Sequence, residues 1–257
     1  ELSYQNYNLK NWRYFIMTDG VSNNLKLGLT VSRNSIDNPI YTRKGSSFTL
    51  SVEATPPYSA FTGTDYSTAP EAVKYSWLEY HKWKLKAKIF TPLSTDQKLV
   101  LMARAEYGFL GYYNKYRRSP FETFYMGGDG MTGSYTSYAS ETIGLRGYTN
   151  GSLTPYSSNG GQNGNLYTRL TLELRYPLVL EASTTIYALA FLEGGNCWAE
   201  FSDFNPFNLK RSVGVGLRLY LPMFGMMGID WGYGFDKISG SAKYEPSQFH
   251  FIIGQEF

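Results

Sequence analysis

The chain has 257 residues, with 24 basic and 21 acidic side chains, 42% hydrophobic residues and 17% aromatic residues. The charges form no basic block that could follow a phosphate backbone, so nucleic acid is not an expected partner. No window approaches the roughly 18 consecutive apolar residues of a spanning helix, so a membrane location would require strands. The single cysteine, Cys197, excludes an internal disulfide and a multi-cysteine metal site.

Apolar residues fall at alternate positions in most of ten segments, which predicts ten strands. In chain order these segments are about 2–12, 24–33, 48–54, 78–90, 98–108, 167–176, 185–195, 212–221, 226–235 and 249–257. In the second segment Leu25, Leu27 and Leu29 share one face, opposite Lys26 and Thr30. Short turns alternate with long polar stretches, of which the longest is about 113–165.

One apolar face, one polar face and alternating short and long connections predict an all-β fold, a transmembrane antiparallel up-and-down β-barrel. We treat residues 1–257 as one barrel domain in which 113–165 is a long extracellular loop. The soluble alternative is a β-sandwich or a lipocalin-like barrel, which points its apolar residues inward. Charged residues opposite the apolar face and aromatic residues at the strand ends favour the membrane barrel.

Four short motifs occur in an order that resembles the BamA family of outer-membrane barrel assembly proteins. FYMGG (124–128) followed by LRGY (145–148) resembles the family's sixth extracellular loop, whose VRGF-type tip follows an aromatic-x-Gly-Gly segment. FLEGG (191–195) resembles the F-x-D-x-G element, NSIDNPIYTRKGSSF (34–48) resembles a turn motif, and FHFIIGQEF (249–257) resembles the last strand. Glu193 stands where the family more often has Asp, and 16 residues between Gly128 and Leu145 make the lead-in longer than usual.

The resemblance implies a site at the tip residues Leu145, Arg146, Gly147 and Tyr148, supported by Gly127, Gly128, Phe191 and Gly195. In the family the tip arginine lies inside the lumen against acidic residues of the two following strands. The strand alternation independently assigns Glu173 and Glu193 to the lumenal face. Because a buried arginine needs carboxylate partners, we predict that Arg146 pairs with both.

The family combines periplasmic POTRA domains with a sixteen-strand barrel, so the resemblance implies that this chain holds about ten of sixteen strands and lacks the POTRA domains. A self-closed ten-strand barrel is the alternative. The expected location is the outer membrane of a Gram-negative bacterium, integral in the lipid bilayer.

The implied function is the folding and insertion of other β-barrels through a lateral seam between the first and last strands. The implied partners are unfolded barrel clients and accessory lipoproteins. Phe249, Phe251, Gly254 and Phe257 would form one side of the seam, or act only as this protein's own assembly signal. The alternatives are a secretion transporter of the same superfamily and a passive porin.

No arrangement of side chains in the sequence indicates catalysis, so we expect no enzyme activity, no cofactor and no metal. His81 and His250 lie in ordinary strand positions, isolated from any Cys or carboxylate spacing that would suggest a ligand set. The lysines at 82, 84, 86 and 88 are interpreted as a solvated lumenal wall, with the steering of a passing chain as the alternative.

Overall fold

The computed structural model describes residues 1–11, 19–131, 141–157, 161–181, 183–238 and 246–253. Twelve strands occur in these residues, and all but two short ones form a single antiparallel sheet in which chain neighbours are sheet neighbours. The strands are β1 (Leu2–Leu9), β2 (Gly20–Asn34), β3 (Gly45–Ala54), β4 (His81–Pro92), β5 (Val100–Gly111), β6 (Phe124–Met126), β7 (Glu141–Ile143), β8 (Leu166–Leu180), β9 (Thr185–Trp198), β10 (Lys210–Leu221), β11 (Gly225–Gly234) and β12 (Ser247–Ile253). The predicted all-β fold and its ten main strands are therefore confirmed.

Several strand boundaries differ from prediction by a few residues, and two of these differences have identifiable reasons. β4 begins at His81 rather than at Leu78, because the Leu78 amide donates to the carbonyl of Asn23 on β2 and leaves the β4 ladder. β8 continues to Leu180, beyond the predicted end at Tyr176. A register shift between Pro177 and Val179 breaks the simple alternation there, so the sequence pattern stops short of the strand.

The two faces of the sheet follow the alternation that the sequence displays. Leu27, Leu29 and Leu172 lie on the outer face with exposed fractions of 63%, 65% and 48%. Glu173 and Arg175, on the opposite face of β8, are buried. Exposed apolar side chains on a strand whose charged residues are buried match a wall with lipid outside and a filled lumen inside.

The sheet is open. Its edges are β1 and β12, and within the described residues these two strands do not pair with each other. The chain therefore forms a partial barrel, and the alternative of a self-closed ten-strand barrel was wrong. Among the residues that the structure describes, β12 pairs with β11 alone, over Met227–Tyr233.

The connections differ at the two ends of the sheet. One end carries the short connections 35–44, 93–99, 181–184 and 222–224, and the other carries 10–19, 55–80, 112–165, 199–209 and 235–246. In outer-membrane barrels short turns mark the periplasmic end.

The helix Glu71–Lys74 spans only one turn. In the described residues no helix is long and apolar enough to cross a bilayer.

Two hydrophobic clusters fill the concave side of the sheet. The first joins the long loop (112–165) to the strands and includes Phe121, Phe124, Leu145 and Tyr148. The second lies near the periplasmic end, where Tyr41 from the turn after β2 packs with strand residues, among them Phe90, Met102 and Tyr187. The Tyr41 hydroxyl donates to the carbonyl of Lys98 at 2.7 Å, which fixes this turn beneath the lumen.

Candidate functional site at the loop tip

The two glycines of the FYMGG motif turn the long loop back on itself. Gly127 and Gly128 have φ of 123° and 80°, the left-handed region that glycine adopts without a Cβ penalty. The Gly127 amide donates to Ile143, and Gly128 exchanges backbone hydrogen bonds with Leu145. This pairing places the lead-in beside the loop tip, Leu145–Tyr148.

Arg146 is fully buried and reaches carboxylates on three strands. Its Nη2 lies 3.1 Å from Glu173 Oε2 and 2.9 Å from Glu193 Oε1, and its Nη1 lies 3.2 Å from Asp230 Oδ2. The backbone amide of Arg146 also donates to Glu193 Oε2 at 2.9 Å. Both contacts predicted from the sequence are present, and Asp230 on β11 is a third partner that the sequence analysis missed.

Each of these carboxylates also contacts a second arginine. Arg175 lies 2.6 Å from Glu173 and Arg169 lies 2.8 Å from Glu193. Arg218 donates to both oxygens of Asp230, at 2.6 and 2.8 Å. Alternating opposite charges offset the cost of removing each one from water, which amounts to several kcal/mol for a buried ion alone.

Aromatic packing completes the surroundings of the guanidinium group. The Arg146 Cζ lies 3.6 Å from the centroid of the Phe191 ring, so the group stacks on the aromatic residue of the FLEGG motif. Gly195, at the other end of that motif, lies under the loop. A Cβ there would come within 2.5 Å of Met126 Cε and 3.3 Å of Leu145 Cδ1.

The next two tip residues contact the remaining strands. The Gly147 amide donates to His250 Nε2 on β12 at 3.0 Å, and the Tyr148 hydroxyl donates to the Arg211 carbonyl on β10 at 2.8 Å. Arg146 already contacts β8, β9 and β11. Three consecutive residues therefore bind all five strands that follow the loop.

The contact between His250 and the loop tip was not predicted from the sequence. His250 is 5% exposed and forms the bond to Gly147. The partner comes from a loop, and strand alternation carries no information about where a loop docks. The available signal was its position between Phe249 and Phe251, which assigns it to the lumenal face.

Glycines of β11 give the loop tip its room. A Cβ on Gly232 would lie 2.6 Å from the Gly147 nitrogen, and one on Gly234 would lie 2.7 Å from the Gly147 carbonyl oxygen. Real Cβ atoms do not approach backbone so closely. The loop tip therefore lies directly against the backbone of Gly232 and Gly234, which we name the glycine track.

A second anchor holds the long loop near β4. Glu141 lies 3.2 Å from Lys82 Nζ, 3.1 Å from Lys84 Nζ and 3.9 Å from Lys86 Nζ, and Glu122 lies 3.5 Å from Lys82 Nζ. We name Lys82, Lys84, Lys86 and Lys88 the lysine ladder. The interpretation of the ladder as a solvated wall was wrong for Lys82, which is buried, whereas Lys84 and Lys86 are partly exposed and also receive a counter-charge from the loop.

The lysines also determine the charge of Glu141. Burial disfavours its ionised form, but Lys82, Lys84 and Lys86 together outweigh burial and hold the pKa of the carboxyl below its usual value. Glu141 is therefore charged at neutral pH.

In the part of the chain that the structure describes, no group of three or more His, Cys, Asp or Glu side chains could hold a metal ion.

Comparison with known proteins identifies the family. The sequence matches the family described as the Omp85 superfamily domain over residues 1–257. The chain belongs to the Omp85 superfamily. A solved structure with the same fold is that of BamA from Haemophilus ducreyi lacking POTRA domains 1–3, with a TM-score of 0.62 and 18% identity. The match covers 90% of this chain and 42% of that one, so the chain spans under half the length of the solved protein.

Membership of the Omp85 superfamily and the BamA fold indicate a bacterial outer-membrane β-barrel protein. Within this fold, the predicted seam residues Phe249 and Phe251 lie on the outer face of β12, with exposed fractions of 67% and 62%. Gly254 and Phe257, the other two, lie outside the described residues.

Proposed function

We propose that this chain is a barrel portion of a factor that folds and inserts β-barrel proteins into the outer membrane through a lateral seam. The observation that carries the proposal is the contact of three tip residues with all five strands after the loop, including the sheet edge β12. The loop tip thereby holds the part of the barrel that would form one side of the seam.

The edge strand supports the proposal on physical grounds. Within the described residues β12 has a sheet neighbour on one side only, β11. Unpaired backbone N–H and C=O groups are costly in a bilayer, so such an edge is a template for another strand. A client strand that pairs there would gain backbone hydrogen bonds.

The filled concave side argues against a passive porin. Arg146, Leu145 and Tyr148 of the long loop are buried among strand residues, and Tyr41 packs beneath them at the periplasmic end. A diffusion channel instead needs a continuous water-filled lumen. The proposed role requires no covalent chemistry and no cofactor, and we propose accessory lipoproteins as further partners.

The test replaces Arg146 by Ala in the native protein, supplied as the only copy in cells, and quantifies several unrelated barrels in outer-membrane fractions. We expect all of them to fall together, because Glu173, Glu193 and Asp230 would each lose a buried counter-charge. The matched control is Arg211→Ala, which removes a neighbouring arginine whose side chain is 69% exposed.

The other outcomes separate the alternatives. Loss of a single exported protein, with the barrels unaffected, would favour the secretion transporter. Unchanged barrels accompanied by increased single-channel conductance would favour the porin. Unchanged barrels and unchanged conductance would contradict a role for the loop tip in assembly.

A further inference from the structure

His250 is the point at which β12 touches the loop tip. Its Nε2 accepts the Gly147 amide at 3.0 Å, and the imidazole is buried. A ring nitrogen that accepts a hydrogen bond carries no proton, so the neutral ring has its proton on Nδ1. The contact therefore joins one defined acceptor atom to one backbone donor.

The backbone of β11 confines this donor from the other side. The Gly147 nitrogen lies where a Cβ on Gly232 would come within 2.6 Å of it. Gly147 itself has φ of 84°, and a Cβ on it would meet Ser212 Cβ at 3.0 Å. The tip amide is thus fitted between β10, β11 and the imidazole of β12.

Within the described residues, β12 has a strand neighbour on one side. It pairs there with β11 at seven positions, from Met227 to Tyr233. The bond from Gly147 to His250 bypasses β11 and ties β12 directly to the long loop. The loop and the edge strand are therefore joined by a hydrogen bond that does not belong to the backbone pairing between strands.

We propose that His250 is the positioning residue that couples the loop tip to the last strand, so that the edge strand β12 is held less firmly once the Gly147 amide is released. This inference rests on the proposed function, because it assigns the coupling to the edge at which a client strand would pair. It also implies that the His250 side chain transmits the state of the tip to the edge strand.

The experiment measures amide hydrogen exchange at Gly147 and at residues 247–253 in the native protein in lipid nanodiscs. Three variants change the acceptor: His250→Gln places an oxygen at about the reach of Nε2, His250→Asn has an oxygen that falls short, and His250→Phe has no acceptor. Ile252→Ala is the control, because Ile252 is buried on the same face of β12 but cannot accept a hydrogen bond.

We expect the Asn and Phe variants to raise exchange at Gly147 and along 247–253 by about fivefold to tenfold, the range for loss of one hydrogen bond. The Gln variant should restore protection, and Ile252→Ala should leave Gly147 protected. Heat-modifiable migration on gels establishes that each variant is folded. If Phe does not fold, the comparison of Asn with Gln decides the matter.

Two results would overturn the inference. One is a Gly147 amide that stays protected in the Asn and Phe variants. The other is faster exchange at Gly147 without any increase in exchange at residues 247–253. The proposed function is judged separately by insertion of an unfolded β-barrel client into liposomes by the unaltered protein. Absence of insertion would contradict the proposed function, while the exchange data would still decide the coupling.

Discussion

The long loop is held in the lumen by two anchors of different character. At the loop tip, Arg146 is completely buried and bonds to carboxylates on three strands. At the lysine ladder, Glu141 contacts lysines of one strand, of which Lys82 has a side chain that is 4% exposed, while those of Lys84 and Lys86 are 22% and 45% exposed. The tip anchor depends on the arrangement of several strands, whereas the lysines that Glu141 contacts all lie on β4.

The difference sets how firmly each anchor holds. Charges removed from water interact strongly but only in one geometry, since losing a partner leaves another charge uncompensated. Partly exposed charges are screened by water and salt and tolerate small shifts. We therefore expect the ion pairs at the tip to stay formed and those at the ladder to break and re-form more easily.

The largest expected effect comes from Arg146→Lys. A single ammonium group keeps the charge but cannot reproduce the planar fork that reaches Glu173, Glu193 and Asp230. We expect the free energy of unfolding to fall by about 2 kcal/mol or more, measured by urea titration in lipid bilayers. The control is Lys84→Arg on the ladder, and an equal loss in both variants would contradict the distinction between the anchors.

Gly232→Ala tests the tip without changing any charge. Its Cβ would lie 2.6 Å from the Gly147 nitrogen, so the tip must move away from β11. We expect a loss of about 1–3 kcal/mol, as for other overpacked sites, and increased protease cleavage of the long loop. Gly28→Ala is the control, because its Cβ would have only ordinary contacts at 3.8 Å or more. Equal stability of the two variants would mean that the tip does not depend on the glycine track.

Glu141 tests the ladder, with a smaller expected effect. Because the pKa of Glu141 is lowered in the folded protein, its contribution is fully present above the usual value of 4.5 and is lost as the pH falls through the lowered pKa. We expect Glu141→Gln to cost about 1 kcal/mol or less. Salt should weaken the ladder in the unaltered protein, and acid below pH 4.5 should do the same, as measured by protease cleavage of the loop. Cleavage that rises equally with acid in Glu141→Gln would assign the effect to another group.

The smallest expected effect belongs to Arg211→Ala. Its guanidinium bonds to Asp236 at 2.9 Å but is mostly exposed, and the contact of Arg211 with Tyr148 uses the backbone carbonyl, which the substitution keeps. We expect no measurable change in the urea midpoint or in loop protection. A clear loss would mean that surface charge contributes to holding the tip.

The sequence predicts one of these two anchors better than the other. Glu173 and Glu193 were found because alternation assigns both to the lumenal face and the motif resemblance identifies Arg146. Asp230 lies on the same face by alternation, among glycines of β11, but its contact with the tip depends on how far the loop extends into the lumen. That distance is set by packing between segments that are far apart in the sequence.

The ladder was misjudged for a related reason. The lysines of β4 were recognised from alternation. Glu122 and Glu141 lie in a loop whose sequence shows no periodicity from which its path could be predicted. The overall fold was predictable because each strand shows its two faces independently of the rest. Contacts made by the loop required the three-dimensional structure.

The reach of the loop tip has a consequence for the order of folding. Arg146 is 27, 47 and 84 residues from its carboxylate partners, and Gly147 is 103 residues from His250. Contacts between such distant segments form late, because their loop-closure entropy must be overcome first. The tip can complete its bonds only after β12 has arrived, so its docking marks the end of barrel formation in this chain.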